Sequence, residues 1–284
     1  MWDKLIHKIL HIPYVLNVVE FSTPKKPLAT IIFIHGIGSS SKMWTKMAKQ
    51  LPGTVRCIGV DLLGFGESPK PSWKPYSAKT QADSVLATLI RLNIRGPVIV
   101  VGHSLGALVA VEFTKRYKYK VKKLILCSPP FYRPVNSKTL VAQPEQLLRT
   151  IYKTVQNNPK NSKKLLKFIS KYNYLNAGFK VDDTTFASYL ASLEAAIVNQ
   201  SSLEDAVKIK KPIEIFSGHF DVLVVDTNIR YLQKHGHNIT LTFLAAGHEV
   251  AGRYRIKVQK SIENTINDIA SSRKKKLLQT RTSK

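Results

Sequence analysis

The sequence predicts an α/β fold with a mostly parallel, doubly wound sheet and an inserted helical segment. Short β-branched runs, such as those at 31–34 and 98–101, are apolar throughout, as in strands covered on both faces. These runs alternate with helical patterns, which implies crossover connections between parallel strands. The alternation stops between residues 129 and 210, where only helical patterns occur, and then resumes.

The individual elements follow in a regular order. Strands are predicted at 15–21, 31–34, 55–60, 98–101, 121–127, 213–216 and 239–244. Helices are predicted at 42–51, 80–92, 107–117, 145–156, 160–171, 183–199, 225–234 and 254–271. This order assigns residues 1–128 and 211–271 to an α/β core, 129–210 to a helical cap and 272–284 to a basic disordered tail. A cap at this place is expected to lie over the strand ends, where ligands bind in open sheets.

Composition limits the classes of protein to which the chain can belong. With 284 residues, 44% of them hydrophobic, the chain is large enough for a substantial core. Its apolar runs are too short to span a membrane, and its N-terminus lacks a signal peptide's continuous apolar stretch, so we expect a cytoplasmic protein. Cys57 and Cys127 lie apart in apolar strands, which favours reduced core thiols. The sequence has no Walker loop, dinucleotide fingerprint or metal-ligand cluster, so we expect no cofactor and no metal.

The net charge is +26, from 44 Lys and Arg against 18 Asp and Glu. The excess is spread along the whole chain, and without a nucleic-acid motif we expect no specific nucleic-acid partner. Contact with an anionic membrane stays open, because the electrostatic field of so large a positive charge attracts anionic surfaces. Residues 2–10 carry apolar side chains at helical spacing. We expect this short helix to pack on the body of the protein or on its cap, with an interfacial membrane anchor as the alternative.

The pentamer Gly102-His103-Ser104-Leu105-Gly106 lies between the strand predicted at 98–101 and the helix predicted at 107–117. A serine hydroxyl is a poor nucleophile unless it is aimed at the substrate and given a base. A sharp strand-to-helix turn aims it, and crowding at that turn requires glycine two residues to either side, here Gly102 and Gly106. The pattern therefore predicts Ser104 as a nucleophile, with His103 pointing away from it.

Two further motifs accompany this pentamer. They are HG-x-G at His35–Gly38 and D-x-x-G-x-G-x-S at Asp61–Ser68. In order and spacing, the three motifs resemble the α/β-hydrolase fold family over residues 15–270. The resemblance implies the α/β-hydrolase fold with a helical cap. It points to the serine esterase or lipase branch, because the dehalogenases and epoxide hydrolases of this fold use a carboxylate where this chain has Ser104.

The resemblance also implies the partners of Ser104, in the family's order of serine, acid and histidine. The base corresponds to His248, which follows the last predicted strand. The acid corresponds to Asp221, at the family's G-x-x-D position, where it would orient the imidazole. Asp226 is the alternative acid, although it falls within the next predicted helix.

The family's oxyanion hole corresponds to two main-chain N–H groups, those of Leu105 and Ile37. Gly36 and Gly38 would leave the backbone free to aim the second donor. His35 is expected to brace this loop, and Asp61 to fix the loop that ends its own strand.

These residues predict a serine hydrolase that cleaves a carboxylic ester of a small-molecule acyl substrate through an acyl-enzyme. Two alternatives stay open. One is a carbon–carbon or amide bond hydrolase with the same triad, and the other is a non-catalytic binding protein with the same fold. The sequence does not specify the acyl group.

Overall fold

A computed structural model describes residues 2–133 and 183–282, together with residues 145–146, 149–150, 153–154, 157–158 and 161. Within these residues the strands are β1 (Val18–Ser22), β2 (Thr30–Ile34), β3 (Arg56–Val60), β4 (Val98–His103), β5 (Val121–Cys127), β6 (Ile213–Gly218) and β7 (Ile239–Leu244). They form one sheet in the order β1-β3-β2-β4-β5-β6-β7. β1 runs antiparallel to β3, and the other neighbouring pairs are parallel. The mostly parallel sheet is thereby confirmed.

The α-helices in the described part of the chain are α1 (Trp2–Lys4), α2 (Thr45–Ala48), α3 (Ala78–Arg91), α4 (Leu105–Arg116), α5 (Asp183–Ser192), α6 (Ser202–Lys208), α7 (Asp226–His235) and α8 (Gly252–Thr282). Short 3₁₀ turns span Ser41–Trp44 and Lys118–Lys120, and π-helical turns span Leu5–Ile9 and Leu193–Val198.

The sheet buries both of its faces. Ile32 and Ile34 of β2 belong to a core cluster with α3 and α4, whereas Ile31 and Phe33 belong to a second cluster with α2 and α8. All six residues of β4 are buried. Since alternate side chains of a strand point to opposite faces, continuous apolar runs are what a sheet covered on both sides requires.

Some predicted boundaries are wrong. The helix predicted at 42–51 is a 3₁₀ turn followed by the single turn α2. The first strand begins at Val18, and the helix α6 was missed. The tail predicted to be disordered is helical as far as Thr282. Its lysines, leucines and arginines favour helix, and extending a formed helix costs little compared with starting one.

The N-terminal run also differs from expectation. Its helix consists of α1 and one π-helical turn, and the chain reverses at His11, where φ is +54°. Trp2, Ile9 and Leu10 are exposed, so these side chains do not pack on the body of the protein. The spacing predicted a helical face but could not specify what covers it.

Part of the inserted segment lies outside the described residues, including most of the helices predicted at 145–156 and 160–171. The helix predicted at 183–199 is α5 followed by the π-helical turn Leu193–Val198. Leu193 and Ile197 in that turn are buried in the same core cluster as α4. The division into core and cap stays a prediction.

Cys57 and Cys127 are free and buried, as predicted, and burial raises the pKa of the Cys57 thiol to about 12. Among the described residues, no helix combines the length and the apolar character needed to cross a membrane.

Candidate active site

Ser104 lies on a strained turn between β4 and α4. Its φ is +51° and its ψ is −120°, a conformation that costs a non-glycine residue on the order of 1–3 kcal/mol. The main chain holds it in place. The Ser104 N–H donates to the Cys127 carbonyl at 3.0 Å, and the Ala107 N–H donates to the Ser104 carbonyl at 2.9 Å. The sharp strand-to-helix turn predicted from the glycine pattern is therefore present.

Close backbone contacts explain the glycines on either side of Ser104. A Cβ atom on Gly102 would lie 2.4 Å from the carbonyl oxygen of Gly106. A Cβ atom on Gly106 would lie 2.4 Å from the carbonyl oxygen of Ile34 in β2. Both separations are far below van der Waals contact with rigid backbone, so these positions require glycine.

The loop that follows β2 lies directly against Ser104. β2 and β4 are neighbours in the sheet, and Ile34 pairs with Gly102, so the two strands end side by side. A Cβ atom on Gly36 would lie 3.1 Å from the Cβ of Ser104. The predicted loop at 36–38 therefore borders the predicted nucleophile.

His35 connects this loop to the loop after β3. Its buried ring accepts a hydrogen bond from the Leu62 N–H at Nε2 (2.8 Å) and donates one from Nδ1 to the Gly36 carbonyl (2.7 Å). Burial lowers the pKa of His35, which keeps the ring neutral and able to serve as acceptor and donor at once.

Asp61 fixes the loop after β3. Its buried carboxylate accepts hydrogen bonds from the Ser41 N–H (2.7 Å), the Glu67 N–H (2.9 Å) and the Asn17 side-chain amide (2.9 Å). Burial alone raises the pKa of Asp61, but these hydrogen bonds together lower it by more, so its net pKa lies below the ordinary value.

His248 and Asp221 form a hydrogen-bonded pair. His248 Nδ1 lies 2.9 Å from Asp221 Oδ2 and 3.0 Å from Oδ1, and the carboxylate is fully buried. The Leu223 N–H donates a further hydrogen bond to Oδ1 at 3.0 Å. Burial raises the pKa of Asp221, but the hydrogen bond and charge of His248, together with hydrogen bonds from Leu223 and Ser128, lower it by more. Of the two candidate acids, Asp221 is the one beside His248, whereas Asp226 begins α7.

The loops that carry Asp221 and His248 are held together by their main chains. β6 and β7 are paired as far as Gly218 and Leu244, and the Phe220 N–H donates to the Ala246 carbonyl at 3.0 Å. A Cβ atom on Gly218 would lie 2.2 Å from that carbonyl oxygen. Glycine at 218 is therefore a condition for the close approach of the two loops.

His103 is a site residue that the sequence reasoning missed. Its Nε2–H donates to the main-chain carbonyl of His248 at 2.9 Å, and the centroids of the two rings are 4.9 Å apart. Burial, and then the charge of His248, lower the pKa of His103 to about 3, so its ring stays neutral. The partner residue lies 145 positions away along the chain, so no local pattern could have revealed the contact.

Ser104, His248 and Asp221 thus gather at the carboxyl edge of the sheet. Among the described residues, however, the structure contains no hydrogen bond between the Ser104 hydroxyl and His248. Ser104 is connected to His248 through its neighbour His103. In unliganded enzymes, the hydrogen bond between a nucleophile and its base is often long, and it tightens only when substrate is bound.

Comparison with known proteins identifies this architecture. A family model described as the alpha/beta hydrolase fold matches residues 29–166. The esterase from Exiguobacterium antarcticum superposes with a TM-score of 0.69 over 89% of this chain and 95% of that one. The chain has the α/β-hydrolase fold. The mostly parallel seven-stranded sheet of this chain is the part of the structure that carries this likeness.

Other solved structures show how much chemistry this fold accommodates. The epoxide hydrolase from Bacillus megaterium superposes on this chain with a TM-score of 0.68, over 89% of this chain and 96% of that one. The esterase is 17% identical in sequence and the epoxide hydrolase 19%, so both demonstrate the fold alone.

A curated relative is more similar in sequence over a shorter stretch. Probable lysophospholipase BODYGUARD 5 from Arabidopsis thaliana is 34% identical over 122 residues, which are 41% of this chain and 28% of that protein. The matched part spans about a quarter to a third of the length of this relative and of two similar ones.

The two main-chain N–H groups predicted to form an oxyanion hole, those of Leu105 and Ile37, belong to segments next to Ser104. Leu105 is the first residue of α4, and N–H groups in the first turn of a helix have no acceptor within that helix. Ile37 follows Gly36, whose backbone lies against Ser104. Gly38 has a φ of +72°, so a glycine completes the turn after Ile37. This arrangement suits two donors for a developing negative charge.

Proposed function

We propose that this protein is a serine hydrolase that cleaves a carboxylic ester through an acyl-enzyme, with Ser104, His248 and Asp221 as its triad. The observation that carries the proposal is the 2.9 Å hydrogen bond between His248 and the buried Asp221, at the sheet edge where Ser104 occupies its strained turn. A carboxylate at Nδ1 selects the tautomer whose Nε2 is free to accept a proton from serine.

In the acylation step, Ser104 Oγ attacks the carbonyl carbon of the ester while His248 Nε2 accepts the hydroxyl proton. The carbonyl oxygen becomes an oxyanion, which the N–H groups of Leu105 and Ile37 stabilise. Asp221 stabilises the imidazolium without taking its proton. When the C–O bond breaks, His248 returns the proton to the leaving alcohol and Ser104 carries the acyl group.

In the deacylation step, His248 accepts a proton from water, whose oxygen attacks the acyl carbon. Collapse of the second tetrahedral intermediate releases the carboxylic acid and returns the proton to Ser104. The buried Asp221 carboxylate supports both steps, because its low pKa keeps it ionised while the imidazole gains and loses its proton.

The names of similar proteins favour an ester over other acyl compounds as the substrate. The curated relative carries the name of a lysophospholipase, and a structural neighbour is an esterase. The serine nucleophile distinguishes this chain from the epoxide hydrolases of the same fold, for which the family resemblance implies a carboxylate nucleophile.

The proposal is tested by the hydrolysis of p-nitrophenyl butyrate by the purified chain and by Ser104→Ala. We expect Ser104→Ala to lose activity by about 10³-fold or more. Ser84→Ala is a matched control, because Ser84 is a buried serine within α3 and outside the proposed triad. Equal turnover by the chain and by Ser104→Ala would refute the proposal.

A substrate panel separates this function from the two alternatives. A series of p-nitrophenyl esters of increasing acyl length, lysophosphatidylcholine, a β-diketone and an amide are offered to the same enzyme. Cleavage of the diketone or the amide with negligible ester turnover would favour a carbon–carbon or amide bond hydrolase. A folded chain that turns over none of them, and that is not labelled by a fluorophosphonate, would be a binding protein.

A further inference from the structure

The N-terminal segment, residues 2–15, exposes a concentration of large apolar side chains. Trp2 is 75% exposed, Ile9 64% and Leu10 59%. Three more large apolar residues of the same segment are exposed: Leu5, Ile12 and Val15. Isolated exposed apolar residues are ordinary, but a group of them in one short segment marks an interaction surface.

This segment is fastened to the body of the protein. Tyr14 is buried, and its hydroxyl donates to both oxygens of Asp3 at 2.9 Å. The ring of His7 stacks on that of Tyr14 with centroids 3.5 Å apart, and its Nδ1–H donates to the Ile12 carbonyl at 2.6 Å. The segment therefore folds back on itself around Tyr14. This buried residue anchors the segment, while its apolar side chains are exposed to solvent.

Lysines lie within this segment and in the cleft beside it. Lys4 and Lys8 are exposed within the segment. A cleft of about 350 Å³ beside it is lined by Lys74, Lys79 and Asp83, among others.

The acidic groups near these lysines already have partners. Asp3 accepts from Tyr14, and Asp83 accepts from Arg116 at 2.9 Å and from Tyr117 at 2.5 Å. The segment thus combines exposed apolar side chains with exposed lysines.

The segment borders the sheet edge that carries the candidate active site. The neighbouring cleft includes Ser77 and Thr80 at the beginning of α3, the helix that leads back to the amino end of β4. The Asn17 carbonyl, just after the segment, accepts from the Asp61 N–H at the carboxyl end of β3. Ser104 follows the carboxyl end of β4, two strands away in the sheet.

We propose that residues 2–15 dock this protein on an anionic phospholipid membrane, with Trp2, Ile9 and Leu10 inserted into the interface. An apolar surface with tryptophan and nearby lysines matches the chemistry of the headgroup region. The net charge of +26 draws the protein to anionic lipid and opposes pairing with a second copy of the chain. Docking does not depend on Ser104; only the inference that the docked protein cleaves membrane-borne acyl esters rests on the proposed function.

Co-sedimentation with vesicles tests the docking. The full chain is mixed with vesicles of phosphatidylcholine alone or with equal parts of phosphatidylcholine and phosphatidylglycerol. We expect binding to the anionic vesicles, weakened by added salt because the charge is screened. The triple variant Trp2→Ser, Ile9→Ser, Leu10→Ser should bind ~10-fold more weakly or worse, because three apolar side chains are lost from the interface.

The matched control is the pair Ile90→Ser and Tyr119→Ser. Both side chains are exposed, but they lie at the end of α3 and just before β5, towards the opposite edge of the sheet. This control should bind like the unchanged chain. The variant Lys4→Gln, Lys8→Gln tests the charge separately, and it should lose part of the binding and part of the salt dependence.

Tryptophan fluorescence gives a second readout. The chain has three tryptophans, and Trp44 is buried in the core. Anionic vesicles should shift the emission to shorter wavelength as Trp2 leaves water. Trp2→Phe should keep the binding and lose most of that shift.

Several results would overturn the docking proposal. The triple variant could bind as tightly as the unchanged chain, or binding could disappear instead in Arg273→Gln, Lys274→Gln, Lys275→Gln at the end of α8. Light scattering could reveal a dimer that the triple variant dissociates, which would make the surface a contact between copies.

The same variants separate docking from catalysis. Ser104→Ala should bind vesicles like the unchanged chain. The triple variant should keep its activity on soluble p-nitrophenyl butyrate and lose activity only on an ester held in vesicles. Full activity of Ser104→Ala would defeat the proposed function and leave the docking intact.

Discussion

The Nε2–H of His103 donates a hydrogen bond to the main-chain carbonyl of His248 across 2.9 Å. This bond joins the turn that carries Ser104 to the loop that carries the proposed base. It also explains why a buried histidine fits beside the nucleophile, because a neutral imidazole supplies the donor without burying a charge.

His103→Ala should lower kcat, because it frees the loop of His248 from the Ser104 turn. Misplacement of a catalytic group by about 1 Å costs about 100-fold in rate, and we expect a loss of 10- to 100-fold. KM should change little if His103 acts through His248. His103→Gln retains an N–H of similar reach and should recover most of kcat. Steady-state kinetics with melting curves as a folding control check this, and a KM effect without a kcat effect would contradict the positioning role.

Asp221→Asn should abolish most of the activity, because the amide would stabilise the wrong tautomer of His248. We expect a loss in kcat of about 10³- to 10⁴-fold. Asp226→Asn is the matched control, since this residue begins α7 in the segment that follows Asp221. Comparable losses in both variants, measured on p-nitrophenyl butyrate, would argue against Asp221 as the acid.

Gly218→Ala should destabilise the fold, because the new methyl group would lie 2.2 Å from the Ala246 carbonyl oxygen. Overpacking against backbone costs about 1–3 kcal/mol or more. Gly247→Ala tests a glycine of the same loop pair at which a Cβ atom meets nothing within 4 Å, and its stability should change little. Urea unfolding compares the two, and equal free energies of unfolding would show that the close approach at Gly218 is not a constraint.

Acid should destabilise the protein through its buried histidines. The pKa of His103 is lowered to about 3, whereas an unfolded histidine titrates near 6.5. As the pH falls through this window the unfolded chain binds a proton that the folded protein does not, so the free energy of unfolding decreases. The contribution of His103 is complete above about pH 6.5 and is lost at about 1.4 kcal/mol per pH unit toward pH 3.

Urea unfolding of the unchanged chain and of His103→Gln at about pH 6.5 and about pH 4.5 measures this effect. That pH interval lies above the ordinary pKa of an aspartate, and the pKa of Asp221 is lower still. The change in stability over the interval therefore reports on the histidines and not on the titration of Asp221. The variant should lose less stability than the unchanged chain, while His35, which is also buried with a lowered pKa, contributes equally to both. An equal decrease in the free energy of unfolding for the unchanged chain and the variant would contradict the buried neutral state of His103.

Local features of the sequence predicted the sheet and the turn. The requirement for Gly102 comes from crowding against Gly106 within the pentamer, whereas Gly106 is required by the close approach of the Ile34 carbonyl of β2. The pairing of His248 with Asp221 joins distant parts of the chain, and only the order of motifs in the family led to it. His103 was missed because its contact is entirely tertiary.

The remaining errors have similar physical causes. Amphipathic spacing at residues 2–10 predicted a helical face, but burial depends on what packs against that face, and Trp2 proved to be exposed. The basic composition after residue 271 suggested disorder, while the intrinsic helix propensity of the same residues continues α8 to Thr282. The expected cytoplasmic location stays a prediction.

The most direct test of the central claim is the site of covalent labelling by a fluorophosphonate, read by peptide mass spectrometry. A nucleophile activated by His248 and Asp221 should be phosphonylated at Ser104, with loss of labelling and of ester hydrolysis together in His248→Asn. Labelling at another residue, or no labelling of a folded chain that still hydrolyses p-nitrophenyl butyrate, would contradict the assignment of Ser104 as the nucleophile.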